Sequence, residues 1–298
     1  MAQNKKWHDG LVVGLASAVR RAVVRSTPAG REKWGRFVGN LIWRMGKRRR
    51  DVAMANIGYA FPEYTTQQRE DLARQSAMHF GRSVVDFMTA DTWTKDSIEA
   101  TTTIVGVEYL EQALAGGKGV LLITGHLGMW ERLSAWVSLS GRKLSVIIRD
   151  ANQEGVNQMV NMLRSASGTE VIPRGDAARP ILTKLRTNQM VGIIPDQNTE
   201  ETFIPFFGQL AGTVLGPGVI HERTGAAVLP GACFYVGEGR YVLRFYPLLE
   251  PMDCDGPKGE GLMRAINAWL ESAIREHPEQ WLWMHDRWRA AKQRGLVK

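Results

Sequence analysis

Gly119-Val-Leu-Leu-Ile-Thr-Gly125-His126 is an apolar run ending in a glycine and a histidine, and Glu131 follows five residues later. The run predicts a strand, Val120–Thr124, the glycine a turn, and the next residues a helix over Trp130–Ser138. Open α/β sheets present their chemistry at the carboxyl ends of the strands. An imidazole placed there can take a proton from a hydroxyl while a carboxylate fixes its tautomer and offsets its charge. On one continuous helix a spacing of five would put the two side chains on different faces. Pairing therefore needs His126 in the turn and only Glu131 on the helix, and Gly125 and Gly128 give the backbone that freedom. His126 and Glu131 are read as general base and orienting carboxylate; the bland alternative is a structural histidine.

Asp196 ends a second apolar run, Met190-Val-Gly-Ile-Ile-Pro195, and is followed by Gln197 and Asn198. Two strands ending in polar groups focus them on one sheet edge, although an Asp in this position also serves as a turn cap. Arg149 closes a third run, Leu144–Ile148, and Arg164 lies late in the following helix. Either guanidinium is a planar donor fork suited to a phosphate or an oxyanion. The loop Phe203-Ile-Pro-Phe-Phe-Gly208 could wall a channel for an acyl chain or simply fill the core. The tail Trp281-Leu-Trp283-Met-His285-Asp-Arg287-Trp288 reads as a docking strip or an interfacial belt, and His285 is given no catalytic role.

Competing chemistries lack their motifs. No histidine pair has zincin spacing, and there is neither a Gly-x-Ser-x-Gly elbow nor a Gly-x-x-x-x-Gly-Lys phosphate loop. The expectation is direct transfer to a substrate hydroxyl, with no metal and no cofactor. Cys233 and Cys254 are far apart, which suits reduced thiols better than a disulfide framework.

The elements that must position these groups follow from texture. Residues 1–95 read as mostly helical, with a helix from Thr65-Thr66 through Met88. From Thr101 onward strands alternate with helices: Thr103–Val105, Val120–Thr124, Leu144–Ile148, Glu170–Ile172 and Met190–Ile194. Residues 195–217 read as a loop, Ala227–Phe234 and Tyr241–Phe245 as a hairpin, and Gly261–Glu276 as an amphipathic helix. The fold class expected is α/β, a mixed, mainly parallel sheet flanked by helices, with a helical extension over 1–95 and a core over 96–298 in one continuous domain.

The chain has 298 residues, 44% of them hydrophobic, so it can bury a substantial core. Its net charge of +8 is uneven. The first 50 residues hold thirteen Lys or Arg against Asp9 and Glu32, and the remaining 248 carry 25 basic and 28 acidic groups. Lys47, Arg48, Arg49 and Arg50 form the densest part. The apolar stretch Leu11–Val19 is far below the ~20 residues needed to span a bilayer. Trp34, Phe37, Val38, Leu41 and Ile42 have helical spacing, and basic residues beside such a face suit an anionic membrane surface. Salt, or neutralising Lys47–Arg50, should then weaken vesicle binding. No nucleic-acid motif accompanies the charge.

An ordered set of short motifs runs through most of the chain. It comprises Asn56-Ile-x-x-Ala-Phe-Pro62-Glu63, Gly125-His126-x-Gly-x-Trp130-Glu131, Arg149-x-x-Asn152, Asp196-Gln197, Phe206-Phe207-Gly208, Ala211-x-Thr213, Thr224-Gly-Ala-x-Val-x-Pro230 and Pro278-Glu-Gln-Trp281-x-Trp283-x-His285-x-Arg287-Trp288. In this set the chain resembles the bacterial lipid A biosynthesis acyltransferases, the lauroyl and myristoyl transferases. The resemblance implies a fold like the glycerol-phosphate acyltransferases and a His-x4-acid active site. It implies an acyl carrier protein or acyl-coenzyme A thioester as donor and a glycolipid acceptor. It also implies work at the cytoplasmic face of the bacterial inner membrane, the chain attached peripherally or by an interfacial anchor. His126 would be the base and Glu131 its carboxylate, with Arg164 and Asp196 at polar positions that bind substrate or stabilise charge. An acyltransferase for another glycolipid, such as a phosphatidylinositol mannoside, and a non-catalytic lipid-binding protein on the same scaffold are the alternatives.

Overall fold

The computed structural model describes residues 14, 16–148, 154–173, 175 and 177–297. Arg149, and Leu11, Val12, Val13 and Leu15 of the Leu11–Val19 stretch, lie outside the described residues. Helices come first: α1 (Pro28–Met45), α2 (Lys47–Ala60) and α3 (Thr66–Phe87). The Thr27 hydroxyl caps α1 by accepting from Gly30 N, with Pro28 at the first turn. A reciprocal box between Thr65 and Gln68 starts α3.

Helices α1 and α3 approach so closely that a Cβ on Gly39 would lie 2.6 Å from Met78 Cα. The buried face of α1 is thus its glycine face, Gly35 and Gly39. Its large apolar residues are displaced to other sides. Ile42 and Trp43 pack on the core, whereas Phe37, Leu41 and Met45 are 59%, 47% and 78% exposed. Among the described residues no helix is long and apolar enough to cross a membrane.

The sheet follows in the expected alternation: β1 (Thr102–Val105), α4 (Val107–Ala115), β2 (Val120–Ile123), α5 (Trp130–Leu139), β3 (Leu144–Ile148), α6 (Glu154–Ser165), β4 (Glu170–Pro173), α7 (Ala178–Arg186) and β5 (Met190–Ile193). After a hairpin, β6 (Thr202–Phe206) and β7 (Gln209–Thr213), come α8 (Gly216–Thr224), β8 (Ala227–Gly237), β9 (Arg240–Phe245), α9 (Glu260–Glu276) and α10 (Arg289–Gln293). Seven strands make one sheet in the order β1-β9-β8-β2-β5-β3-β4. All neighbours are parallel except β8 and β9, so the sheet is mixed and mainly parallel, as expected.

β2 lies mid-sheet and is buried on both faces, which its uninterrupted Val-Leu-Leu-Ile requires. Leu122 and Met190 pack under α4 and α5, while Leu121, Ile123 and Val191 pack against α7, α9 and residues of α2 and α3. Chain neighbours β1 and β3 lie on opposite sides of β2, which makes its carboxyl end a topological switch point.

The segment 195–217, expected as loop, contains the β6–β7 hairpin. Its two-residue turn, Phe207-Gly208, has both φ angles positive, at 52° and 72°, as a primed turn demands. Pro205 interrupts the strand pattern in the sequence, yet it is exposed and tolerated because this two-stranded sheet consists only of edges. Phe206 and Phe207 are buried against Trp281, Trp283 and Trp288. They build core rather than a channel, and the tryptophan tail docks on them. Cys233 is buried and Cys254 exposed, both free thiols.

Candidate functional site

Strand register brings two side chains together. In the β2–β5 pair Ile123 lies beside Ile193, and both His126 and Asp196 lie three residues beyond that rung. The Asp196 carboxylate accepts from His126 Nδ1 at 2.8 Å and from the His126 backbone N–H at 2.7 Å. It also accepts from Trp281 Nε1 at 3.0 Å. Gly125 permits this approach, since a Cβ there would stand 3.2 Å from Asp196 Oδ2 and 2.8 Å from Leu270 Cδ1.

Three donors and a cationic neighbour outweigh the burial that would raise Asp196, and its carboxyl is held well below the usual range. An ionised carboxylate only accepts, so Nδ1 carries a proton, and in the neutral imidazole Nε2 has the lone pair. Burial disfavours the imidazolium, but the Asp196 charge and hydrogen bond prevail and raise the His126 pKa above its ordinary value.

Glu131 does not make the expected contact. As the second residue of α5, it accepts from Arg164 Nε at 3.1 and 3.0 Å, and from Trp130 Nε1 at 3.2 Å. The turn expected around His126 is present. Its imidazole, however, turns to the neighbouring strand for its partner, and α5 turns Glu131 toward α6. His126 feels Glu131 and Arg164 with opposite signs. Arg164 is brought to the site through Glu131, and Asp196 joins His126 directly.

Gly128 frees the turn as its type suggests, and contacts from distant segments hold it. Gly128 has φ +63°, and a Cβ there would meet Cys233 O at 2.1 Å, which excludes any other residue. Gly128 N donates to Gln280 O, Met129 N to Cys233 O, and Leu282 N to His126 O. His79 is buried, and burial pushes its pKa down to about 4. It is therefore neutral, and its Nε2 meets Gly128 O at 3.2 Å as a donor. His285 is also lowered to about 4 by burial, and its Nε2 accepts from Asn198 N at 3.1 Å. The signal for these supports was the tryptophan tail, whose contacts with the turn no local pattern encodes.

His126 has 22% of its side chain exposed, and it lines a cavity of about 410 Å³. Trp130, Arg164, Gln197, Asn198 and Thr199 also line it, and six isoleucines supply much of its apolar lining. No serine or cysteine is among the described lining residues. Burial raises the Cys233 thiol to about 12, leaving it inert. Among the described residues no group of three or more His, Cys, Asp or Glu could hold a metal ion. Of the basic run, Lys47 pairs with Asp51, Arg49 donates to Met284 O, Arg50 donates to Trp43 O and Arg44 O, and Arg48 is exposed.

The family model described as bacterial lipid A biosynthesis acyltransferase matches residues 6–290. A lipid A biosynthesis acyltransferase of Haemophilus influenzae is 24% identical over 85% of this chain and 80% of its own length. A lipid A biosynthesis palmitoleoyltransferase of Escherichia coli is 25% identical over 85% and 84%. A phosphatidylinositol mannoside acyltransferase of Mycobacterium tuberculosis is 28% identical over 63% and 60%.

Proposed function

Since the chain belongs to the bacterial lipid A biosynthesis acyltransferase family, we propose that it moves a fatty acyl chain from a thioester of acyl carrier protein or coenzyme A to a hydroxyl of a lipid A precursor, with His126 as general base. The observation that carries this is the ring itself, tied at Nδ1 to Asp196 and lining an apolar cavity. Nε2 accepts the hydroxyl proton as the oxygen attacks the thioester carbonyl. The C–S bond then breaks, and the leaving thiolate takes the proton back from the imidazolium. With no serine or cysteine among the described residues lining the cavity, the acyl group passes in one transfer without an acyl-enzyme.

Asp196 takes the orienting role first read onto Glu131. The Glu131–Arg164 pair ties α5 to α6 at the rim and presents guanidinium charge to the polar part of a substrate. A glycolipid of the mannoside type is the second acceptor, favoured by the M. tuberculosis relative. Purified protein, offered acyl-coenzyme A or acyl carrier protein thioesters and each acceptor in turn, should add one acyl mass to the lipid A precursor by mass spectrometry. Acylation of the mannoside alone would reassign the acceptor, and no acylation of either would defeat the reading.

Membrane contact is proposed through α1. Phe37, Leu41 and Met45 recur every fourth residue as an exposed stripe, with Lys33, Arg36, Arg44 and Arg48 exposed nearby. Such a helix lies in the headgroup region with its cations on anionic lipid. Each cation adds about 1 kcal/mol near the surface. Replacing Phe37, Leu41 and Met45 together by Ser should lower sedimentation with phosphatidylglycerol vesicles at least tenfold, and added salt should release the wild-type chain. Binding indifferent to both changes would refute the assignment.

A further inference from the structure

A second cavity, also of about 410 Å³, lies where the first turn of α1 meets α3, α5 and the β8–β9 turn. Strand β8 runs parallel to β2, so that turn is on the sheet edge that carries His126. Trp130 on α5 lines the His126 cavity, and Arg132, two residues on, lines the second. Most of the charge in its walls is already paired. Glu32 accepts from Arg82 Nε at 3.0 Å and Nη2 at 2.6 Å, and from the Tyr235 O–H at 3.3 Å. Asp86, Arg132 and Tyr241 repeat the arrangement. Each guanidinium also lies over a tyrosine ring, Arg82 at 4.1 Å from the centre of Tyr235 and Arg132 at 3.9 Å from that of Tyr241.

Two charges of opposite sign are left over. Arg31, in the first turn of α1, makes one hydrogen bond, from Nη2 to Val24 O at 3.3 Å, and its enclosed Nε has no partner. Glu238 is exposed in the β8–β9 turn at φ +50° and forms no hydrogen bond or ion pair among the described residues. The Tyr235 hydroxyl links the neighbours of both. It donates to Glu32, next to Arg31, and accepts from the backbone N–H of Gly239, next to Glu238, at 3.5 Å. The N-terminus of α1 adds the positive end of its dipole on the Arg31 side.

Such a cavity suits a ligand that carries an anion and an amine on a short linker. The exposed row of α1 indicates its source. Ala29, which lines the cavity, is followed at every fourth residue by Lys33, Phe37, Leu41 and Met45, all exposed. The row assigned to the bilayer therefore runs into the cavity, about 12 Å along the axis from Phe37. We propose that this cavity binds the headgroup of a zwitterionic phospholipid, its phosphate at Arg31 and the first turn of α1 and its amine at Glu238. The lipid source rests on the membrane reading of α1, and the acyl-transfer reading is not needed for it. A primary amine is preferred to a quaternary one. The tyrosine faces that would hold a quaternary ammonium already carry guanidiniums, whereas the Glu238 carboxylate accepts from N–H donors. Phosphatidylethanolamine is thus favoured over phosphatidylcholine.

Sedimentation with vesicles of one fixed phosphatidylglycerol fraction, completed with either phosphatidylethanolamine or phosphatidylcholine, tests this. Wild type should bind the ethanolamine vesicles about tenfold more tightly, the size of one charged hydrogen bond. Glu238→Asn, whose new side chain suits a left-handed turn, and Arg31→Gln should each erase the preference, and Glu238→Asp should retain it. Melting curves screen the variants, and two charges on separate elements keep the test open if one variant fails to fold. Equal binding of wild type to both vesicles, or a preference that survives removal of both charges, overturns the proposal. Calorimetric titration with glycerophosphoethanolamine and glycerophosphocholine repeats the comparison without a membrane. If no vesicle sediments the protein, the membrane reading of α1 falls and the titration decides. Binding of the ethanolamine compound that Glu238→Asn abolishes supports the site, and no binding overturns it.

Discussion

His126→Ala is expected to lower kcat by about 10²–10⁴-fold, the usual worth of a positioned general base, with the melting temperature little changed because the ring is partly solvated at the cavity rim. Asp196→Asn should fall in the same range for a different reason. The amide keeps the shape but loses the charge that offsets the developing imidazolium. Its NH₂ would also face either His126 Nδ1–H or the backbone N–H, both of which donate to the carboxylate in the native turn. The imidazole then has cause to adopt the wrong tautomer, leaving Nε2 protonated and unable to act as base.

The pH profile separates the two carboxylates. A base must be unprotonated, so activity rises with pH through the His126 pKa, which the Asp196 charge sets above its ordinary value against the effect of burial. Without that charge the residual activity of Asp196→Asn should have its acidic limb displaced to lower pH. Glu131→Gln should leave the limb near its wild-type position, because the glutamate is shared with Arg164. Its loss should appear instead as weaker substrate binding. An acidic limb that moves with Glu131 and not with Asp196 would return the orienting role to the glutamate.

The second large effect is on stability. One residue beyond Glu131, Arg132 projects from α5 into the protein, its side chain only 7% exposed. It donates to both oxygens of Asp86 at 3.2 and 2.9 Å, and its guanidinium lies 3.9 Å from the Tyr241 ring centre and 5.1 Å from that of Trp93. Tyr241 O–H donates to the same carboxylate at 3.3 Å. Burial works against the guanidinium, but Asp86 more than compensates and its pKa is raised.

Arg132→Met removes one partner and strands Asp86, for which about 3–5 kcal/mol is the usual loss. In a chain of this size that is a fall of roughly 5–8 °C in melting temperature. Adding Asp86→Leu should recover much of the loss, since an apolar pair often replaces a buried ion pair at little net cost. Thermal melts of the two single and the double variants measure the coupling. Singles within about 1 kcal/mol of wild type would mean that the pair is solvated and idle.

Both sites show what a local reading can and cannot reach. His126 was found because an apolar run ending in glycine and histidine states both where a strand stops and what stands there. The βα alternation, the capping box at Thr65 and the hairpin turn around Gly237 to Gly239 are equally local, since each depends on neighbours within a few residues. The β6–β7 hairpin escaped because Pro205 and Gly208 break the alternation, and whether a proline is tolerated depends on which strand edges are left unpaired.

Residue types and their order in the chain were enough to name the family and the α/β class and to place His126 at the end of a strand. They could not say which acid meets its ring. Glu131 was nearest along the chain, but helix α5 directs it to Arg164, whereas Asp196, seventy residues away, arrives by the parallel register of β2 with β5. That pairing is a long-range event, selected by the burial of two continuous apolar strands side by side, and proximity in sequence carries no information about it. The isoleucine lining of the cavity, the glycine face of α1 and the burial of Phe206 and Phe207 arise likewise, from surfaces that exist only once distant segments have packed.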